Sequence, residues 1–154
     1  AAASEGYERQ GPRKGVQQLK EVMEAALVAV QEAWLSILRN IAGLRDPSRF
    51  APWAFGILRR RCADRIRQAQ ADRARRGESE DEPALPAAAD DALAIRQAFA
   101  ALPGEQRLAA QLFFVEGLTL AEIAEVQAVP PGTVKTRLFH ARRKLKAALS
   151  GDET

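Results

Sequence analysis

Thr119-Leu120-Ala121-Glu122-Ile123-Ala124-Glu125-Val126-Gln127-Ala128-Val129-Pro130-Pro131-Gly132-Thr133-Val134-Lys135-Thr136-Arg137-Leu138 holds two helix signals with a breaker between them. Thr119 stands where an N-cap belongs, and Glu122 three residues on completes a capping box. Leu120, Ile123 and Ala124 give this first helix its apolar side. After Gln127-Ala128-Val129, the pair Pro130-Pro131 opens a second helix, with Val134, Leu138, Ala141, Leu145 and Leu149 on one face. Its other faces hold Lys135, Arg137, Arg142, Arg143, Lys144 and Lys146, and no acid follows before Asp152. Two short helices joined by a tight turn, the second strongly basic, form the helix-turn-helix pattern. The first helix braces the second, whose N-terminal residues meet base edges in the major groove. Thr133, Lys135, Thr136, Arg137 and His140 are the groove-facing candidates, and Arg142, Arg143 and Lys146 the phosphate-neutralising ones. An ordinary solvated helix face has the same composition, so charge by itself does not choose between the two.

Upstream of this stretch, Asp90 or Asp91 caps a helix carrying Ile95, Phe99 and Leu102. Pro103-Gly104 breaks it, and Leu108, Leu112 and Val115 line another helix up to Gly117. These four helices make a unit spanning 91–150. Before it the charge changes sign twice. Between Arg59 and Arg76 stand eight arginines against Asp64 and Asp72, whereas Gly77 to Ile95 has Glu78, Glu80, Asp81, Glu82, Asp90 and Asp91 with no basic residue. Pro83, Pro86 and an alanine run give the acidic segment few apolar anchors, so residues 71–90 read as a flexible acidic linker. The unit before it, 17–70, holds two longer helices. In the first, Leu27, Val30, Trp34, Ile37 or Leu38, and Ile41 recur at three-to-four-residue steps and are expected to face the core. Gly43 to Arg49 has loop composition, with Asp46 or Ser48 available as a cap. The second runs from about Phe50 to Gln70, with Trp53, Ile57, Leu58, Cys62 and Ile66 apolar and the arginines crowding the other side. Trp34 and Trp53, at helical core spacing, are read as mainly core, and Cys62 as a small buried apolar residue.

Composition agrees. Of 154 residues, 31 are Ala and only 18 are Val, Ile or Thr, which points to an all-α protein: two small helical domains joined by a flexible acidic linker, the second a helix-turn-helix. One Cys and one His cannot supply a zinc ligand set or a disulfide, so no metal and no cofactor is expected. With no clustered acid and base groups and no glycine-rich phosphate loop, an enzyme is the least favoured class. No apolar run reaches the roughly 18 residues that span a bilayer, and no export signal is evident, so a cytoplasmic protein without membrane insertion is expected. The net charge of +3 is modest; its uneven distribution is what an anionic partner senses.

The words themselves add a resemblance. Ala101-Leu102-Pro103-Gly104-Glu105-Gln106-Arg107, the run Phe114 to Glu125, Val129 to Leu138, and Ala141-Arg142-Arg143-Lys144-Leu145 closely resemble region 4 of bacterial sigma factors of the extracytoplasmic-function (ECF) group. Gln31-Glu32-Ala33-Trp34, Leu44 to Phe50, Trp53, Ile57, Arg59 and Asp64-Arg65 look like region 2 of the same group. The resemblance implies a promoter-specificity subunit that binds core RNA polymerase and promoter DNA. It implies minus-35 recognition by the basic helix, and minus-10 recognition by Arg45, Asp46, Ser48, Arg49, Trp53, Arg60, Arg61 and Arg67. The loop Gly43 to Arg49 would trap a flipped base, and Gln31, Glu32 and Leu35 would dock on polymerase. It also implies an anti-sigma factor as partner. Stacking surfaces beside cations suit an unpaired strand, and Phe50, Trp53 and Phe55 stand just before Arg59, Arg60 and Arg61.

This sequence departs from the pattern twice. The family commonly has Leu-Gly at the helix-helix turn where Gln127-Ala128 stands here, and acids where Leu27 and Val28 stand. Losing a glycine that tolerates positive φ costs on the order of 1 kcal/mol unless the turn is reshaped. Two other readings stay in view: a sigma-like module that mainly occupies an anti-sigma factor, and a plain helix-turn-helix regulator, for which residues 31 to 67 would have no purpose.

Overall fold

A computed structural model describes residues 2–77 and 91–151, with side-chain surroundings from residue 14 onward. The described residues form six α-helices and no strand: α1 (Ala2–Asn40), α2 (Phe50–Arg76), α3 (Asp91–Ala100), α4 (Gly104–Ala110), α5 (Leu120–Gln127) and α6 (Pro131–Leu149). Short 3₁₀ turns at Ile41–Gly43 and Pro47–Arg49 separate α1 from α2, and a π-helical turn, Gln111–Val115, continues α4. Contacts gather Ala1–Arg45 with Ile57–Ala84, and Asp46–Gly56 with Leu85–Thr154.

In the first unit α1 turns Ala29, Ala33 and Ile37 inward, and α2 contributes Ile57. The Glu32–Arg65 ion pair ties the two helices from the flank. Of the apolar stripe expected to be core, Ile37 turns inward and the rest does not. Val16, Leu19, Met23, Leu27, Val30, Trp34, Leu38 and Ile41 are all exposed, Trp34 by 55%. Their steps of three, four and four repeat every eleven residues, close to the helix period, so the stripe stays on one side of α1. Helical spacing had marked a real stripe, but α1 carries two, and the smaller residues won the inward place. Cys62, expected to be buried, is half-buried, and that burial pushes its thiol pKa up.

α2 runs past its expected end at Gln70 to Arg76. Nothing between Ala71 and Arg76 breaks a helix: alanines and arginines favour it, and Asp72 pairs with Arg75 one turn on. Gly77, at φ +70°, ends it. The start of the expected linker is therefore helical, and its acidic part, residues 78–90, lies outside the described residues.

The second unit is built around two clusters. Ala109, Leu112, Leu118, Ile123, Ala124, Val126, Val134 and Leu138 form one, with Phe55, Leu108, Leu120 and Val129 packed on it. Ala98, Leu102, Ala110, Ala141 and Leu145 form the other, with Phe99 against it. Val134, Leu138, Ala141 and Leu145 thus form the inward stripe of α6, as its periodicity predicts. Val115, Ile95 and Leu149, expected on the same faces as their neighbours, are exposed. The π-helical turn shifts the register after Gln111, which swings Val115 outward. Arg107 closes α3 onto α4, its Nη2 donating to the carbonyls of Ala100 at 2.7 Å and Leu102 at 2.9 Å.

Candidate nucleic-acid interface

The helix-turn-helix is fixed at both ends of α5. At the start, the Glu122 N–H donates to Thr119 Oγ1 at 3.2 Å, and the Thr119 N–H donates to Glu122 Oε1 at 3.0 Å. The Thr119 N–H first, and the Thr119 hydroxyl second, favour the charged carboxylate, so Glu122 is held below the usual carboxylate range. At the end, Ala128 adopts the left-handed conformation, φ 53° and ψ 46°. The Val129 N–H reaches back to the Ala124 carbonyl at 3.1 Å, and Val129 packs on the cluster containing Ala124, a Schellman-type stop with alanine where glycine is usual. The turn is not reshaped; Ala128 takes the strained conformation.

Gln127, the other departure, is buried to 1% exposure and fully used. Its Nε2 donates to the Glu105 carbonyl at 3.0 Å and to Glu105 Oε2 at 3.2 Å, while its Oε1 accepts from Arg137 Nη1 at 3.1 Å. Arg137 Nη1 also lies 3.3 Å from Glu105 Oε2. One polar clasp therefore joins α4, α5 and α6. It engages Arg137, whose side chain is only 22% exposed, on the flank of α6. Lys144 takes the same flank, donating to Gln106 Oε1 at 3.2 Å.

The rest of the basic set is open. Lys135, Thr136, His140, Arg142, Arg143 and Lys146 are exposed and Thr133 half-buried. Thr136 turns its hydroxyl back to the Gly132 carbonyl at 3.1 Å. His140, Arg143, Lys144 and Ala147 line a shallow cavity of about 320 Å³. Arg137 is thus drawn to the flank of α6, one turn after the half-buried Thr133 and away from the open face. One residue that charge-based reading passes over is on it: Phe139, 59% exposed. At about 100° per residue, Gly132, Thr136, Phe139 and Arg143 form the strip opposite the buried one, and that position was the available signal.

Of the residues singled out nearer the N-terminus, Arg45, Arg60, Arg61 and Arg67 are exposed. Arg67 pairs with Asp64. Asp46 caps the turn Pro47–Arg49, accepting from the Ser48 N–H at 3.0 Å and the Ser48 hydroxyl at 2.7 Å, and these bonds lower its pKa. Arg49 pairs with Glu125. Trp53 is half-buried, its ring centroid 6.1 Å from that of Phe50 at 51°. On α1, Gln31 and Leu35 are exposed, and Glu32 faces Arg65. Among the described residues, no group of three or more His, Cys, Asp or Glu could hold a metal ion, and no helix is long and apolar enough to cross a membrane.

Comparison with known proteins agrees with this layout. The family Sigma-70, region 4 matches residues 92–145, and Sigma-70 region 2 matches residues 25–72. The ECF RNA polymerase sigma factor SigM of Mycobacterium tuberculosis is 33% identical over 126 residues, covering 79% of this chain. The chain spans only 62% of that relative's length. The ECF RNA polymerase sigma factor SigW of Bacillus subtilis is 30% identical over 147 residues, covering 85% of this chain and 78% of the relative. Among solved structures, the sigma factor RpoE in complex with the anti-sigma factor NepR from Bartonella quintana aligns with a TM-score of 0.69 at 20% identity, over 94% of this chain and 99% of that one, a likeness of fold.

Proposed function

Because this chain belongs to the ECF RNA polymerase sigma factors, we propose that it binds core RNA polymerase and directs it to a set of promoters, doing no bond chemistry of its own. The observation that carries this reading is the pairing of a region 2 match at 25–72 with a region 4 match whose α6 keeps Lys135, Arg142, Arg143 and Lys146 open. Four exposed cations on one helix suit a phosphate backbone, and the capping box holds the bracing helix that aims them.

In this reading α6 enters the major groove at the minus-35 element through Thr133, Lys135, Thr136 and His140, with Arg142, Arg143 and Lys146 on the phosphates. Arg137 acts through the clasp, as a brace. Arg45, Asp46, Ser48, Arg49, Trp53, Arg60, Arg61 and Arg67 serve minus-10 recognition, with the Asp46 cap shaping the loop that takes the flipped base. Two helical domains, 17–70 and 91–150, act on the two promoter elements, joined by the acidic linker. Gln31, Glu32 and Leu35 dock on polymerase, and the exposed stripe from Leu27 to Leu38 supplies apolar surface beside them. The same stripe favours control by an anti-sigma factor that covers it through helix-in-groove packing; RpoE of Bartonella quintana was crystallised in complex with the anti-sigma factor NepR. The place of action is the cytoplasm.

In vitro transcription with core polymerase and a promoter library tests the main reading. New start sites that depend on this chain are expected. Their absence, with DNA binding retained, would leave a plain helix-turn-helix regulator. Failure of both, with capture by an anti-sigma factor, would leave the interaction module.

A further inference from the structure

Phe139 has no part in either apolar cluster of the second unit. It stands in the outermost strip of α6, one turn after Thr136 and one turn before Arg143, and it is 59% exposed. Two neighbours position its ring. Arg143 Cζ lies 5.9 Å from the ring centroid, within cation–π range, and the His140 ring meets it edge-on at 5.5 Å and 72°. An aromatic side chain is thus held by a cation and an imidazole in the middle of a face otherwise made of hydrogen-bonding and charged groups.

The base-reading capacity of the face is reduced elsewhere. Arg137, whose guanidinium could address a guanine, is engaged by Glu105 and Gln127, and the Thr136 hydroxyl is turned to its own backbone. The one base-edge group in the major groove that an apolar ring recognises is the 5-methyl of thymine. From this geometry we infer that Phe139 is a specificity-determining residue that packs on a thymine methyl within the recognised site. The inference rests on the proposal that α6 enters the major groove. Arg143 serves twice, holding the ring from one side and neutralising the adjacent phosphate.

The test uses the full chain and a random pool of DNA duplexes. Enriched duplexes are resynthesised with each thymine in turn replaced by deoxyuridine, which removes only the methyl. One position is expected to weaken binding by about fourfold, the value of burying one methyl-sized group. Phe139→Ala should abolish that sensitivity while leaving the salt dependence unchanged, because no charge is removed. Phe139→Leu should keep part of it. The variants' far-ultraviolet circular dichroism should match the parent, since the side chain is outside the core. A pool that fails to enrich any sequence refutes base reading by α6 and this inference with it. Enrichment with no methyl-sensitive thymine, or with a sensitivity that survives in Phe139→Ala, overturns the role of Phe139 and leaves the groove-binding reading standing.

Discussion

Replacing Ala128 by Gly should stabilise the helix-turn-helix, and the size of the gain follows from the turn. Ala128 holds φ 53° and ψ 46°, where an L-residue with a Cβ is disfavoured by about 1–2 kcal/mol. Removing the methyl costs nothing in packing, because Ala128 is exposed. Against this gain, glycine loses more backbone freedom on folding, by roughly 0.5–1 kcal/mol. The balance is about 0.5–1 kcal/mol in favour of Ala128→Gly, which at the upper end is about fivefold in the opening equilibrium. The Schellman bond from the Val129 N–H to Ala124 stays in place, so the geometry of α5 and α6 should not change. Amide hydrogen exchange on the full chain reads this directly: amides of α5 and α6 should exchange two- to fivefold more slowly, by about the factor just given. Ala128→Val, β-branched at the same φ, should exchange faster than the parent. Unchanged or faster exchange in Ala128→Gly would refute the reasoning, since it would mean that the left-handed conformation at 128 carries no strain for alanine.

Gln127→Leu removes three hydrogen bonds from a buried position and should cost about 1–3 kcal/mol in urea unfolding followed by circular dichroism; an unchanged midpoint would mean the clasp contributes nothing. In DNA binding by the full chain, Arg142→Ala should reduce the slope of log affinity against log salt by about 0.9 if it neutralises one phosphate, whereas Arg137→Ala should leave the slope nearly unchanged. An equal reduction by both would place Arg137 on the DNA. The capping box predicts a pH effect. Glu122 is held below its ordinary range by its bonds to Thr119, so its contribution is complete above the unfolded carboxylate pKa and is lost as the pH falls through the lowered folded one. Glu122→Gln should remove that acid-side loss, checked by following protection of the α5 amides from pH 6 down to 3. Arg65→Ala should loosen α1 from α2 by about 1 kcal/mol or less, because the Glu32–Arg65 pair is about one-third exposed.

The second unit was legible because its signals are local. A cap needs only Thr119 and Glu122 three positions apart, a stop needs only the residues around Pro130-Pro131, and the buried face of α6 is written in the spacing of Val134, Leu138, Ala141 and Leu145. The helical class of the whole chain followed from alanine content and scarce β-branched residues. Tertiary structure decided what periodicity leaves open. α1 has two apolar stripes, and only the approach of α2 selects the alanine stripe and leaves Leu27, Val30, Trp34 and Leu38 outside. Arg137 and Arg143 are equally basic in sequence, yet one is drawn to Glu105 and Gln127, 32 and 10 residues distant, while the other stays on the open face with Phe139. Local pattern states which residues share a face, because helix geometry is set over one or two turns. Which face meets a partner, and which charge is already answered, depends on groups far along the chain whose proximity only the packed helices create.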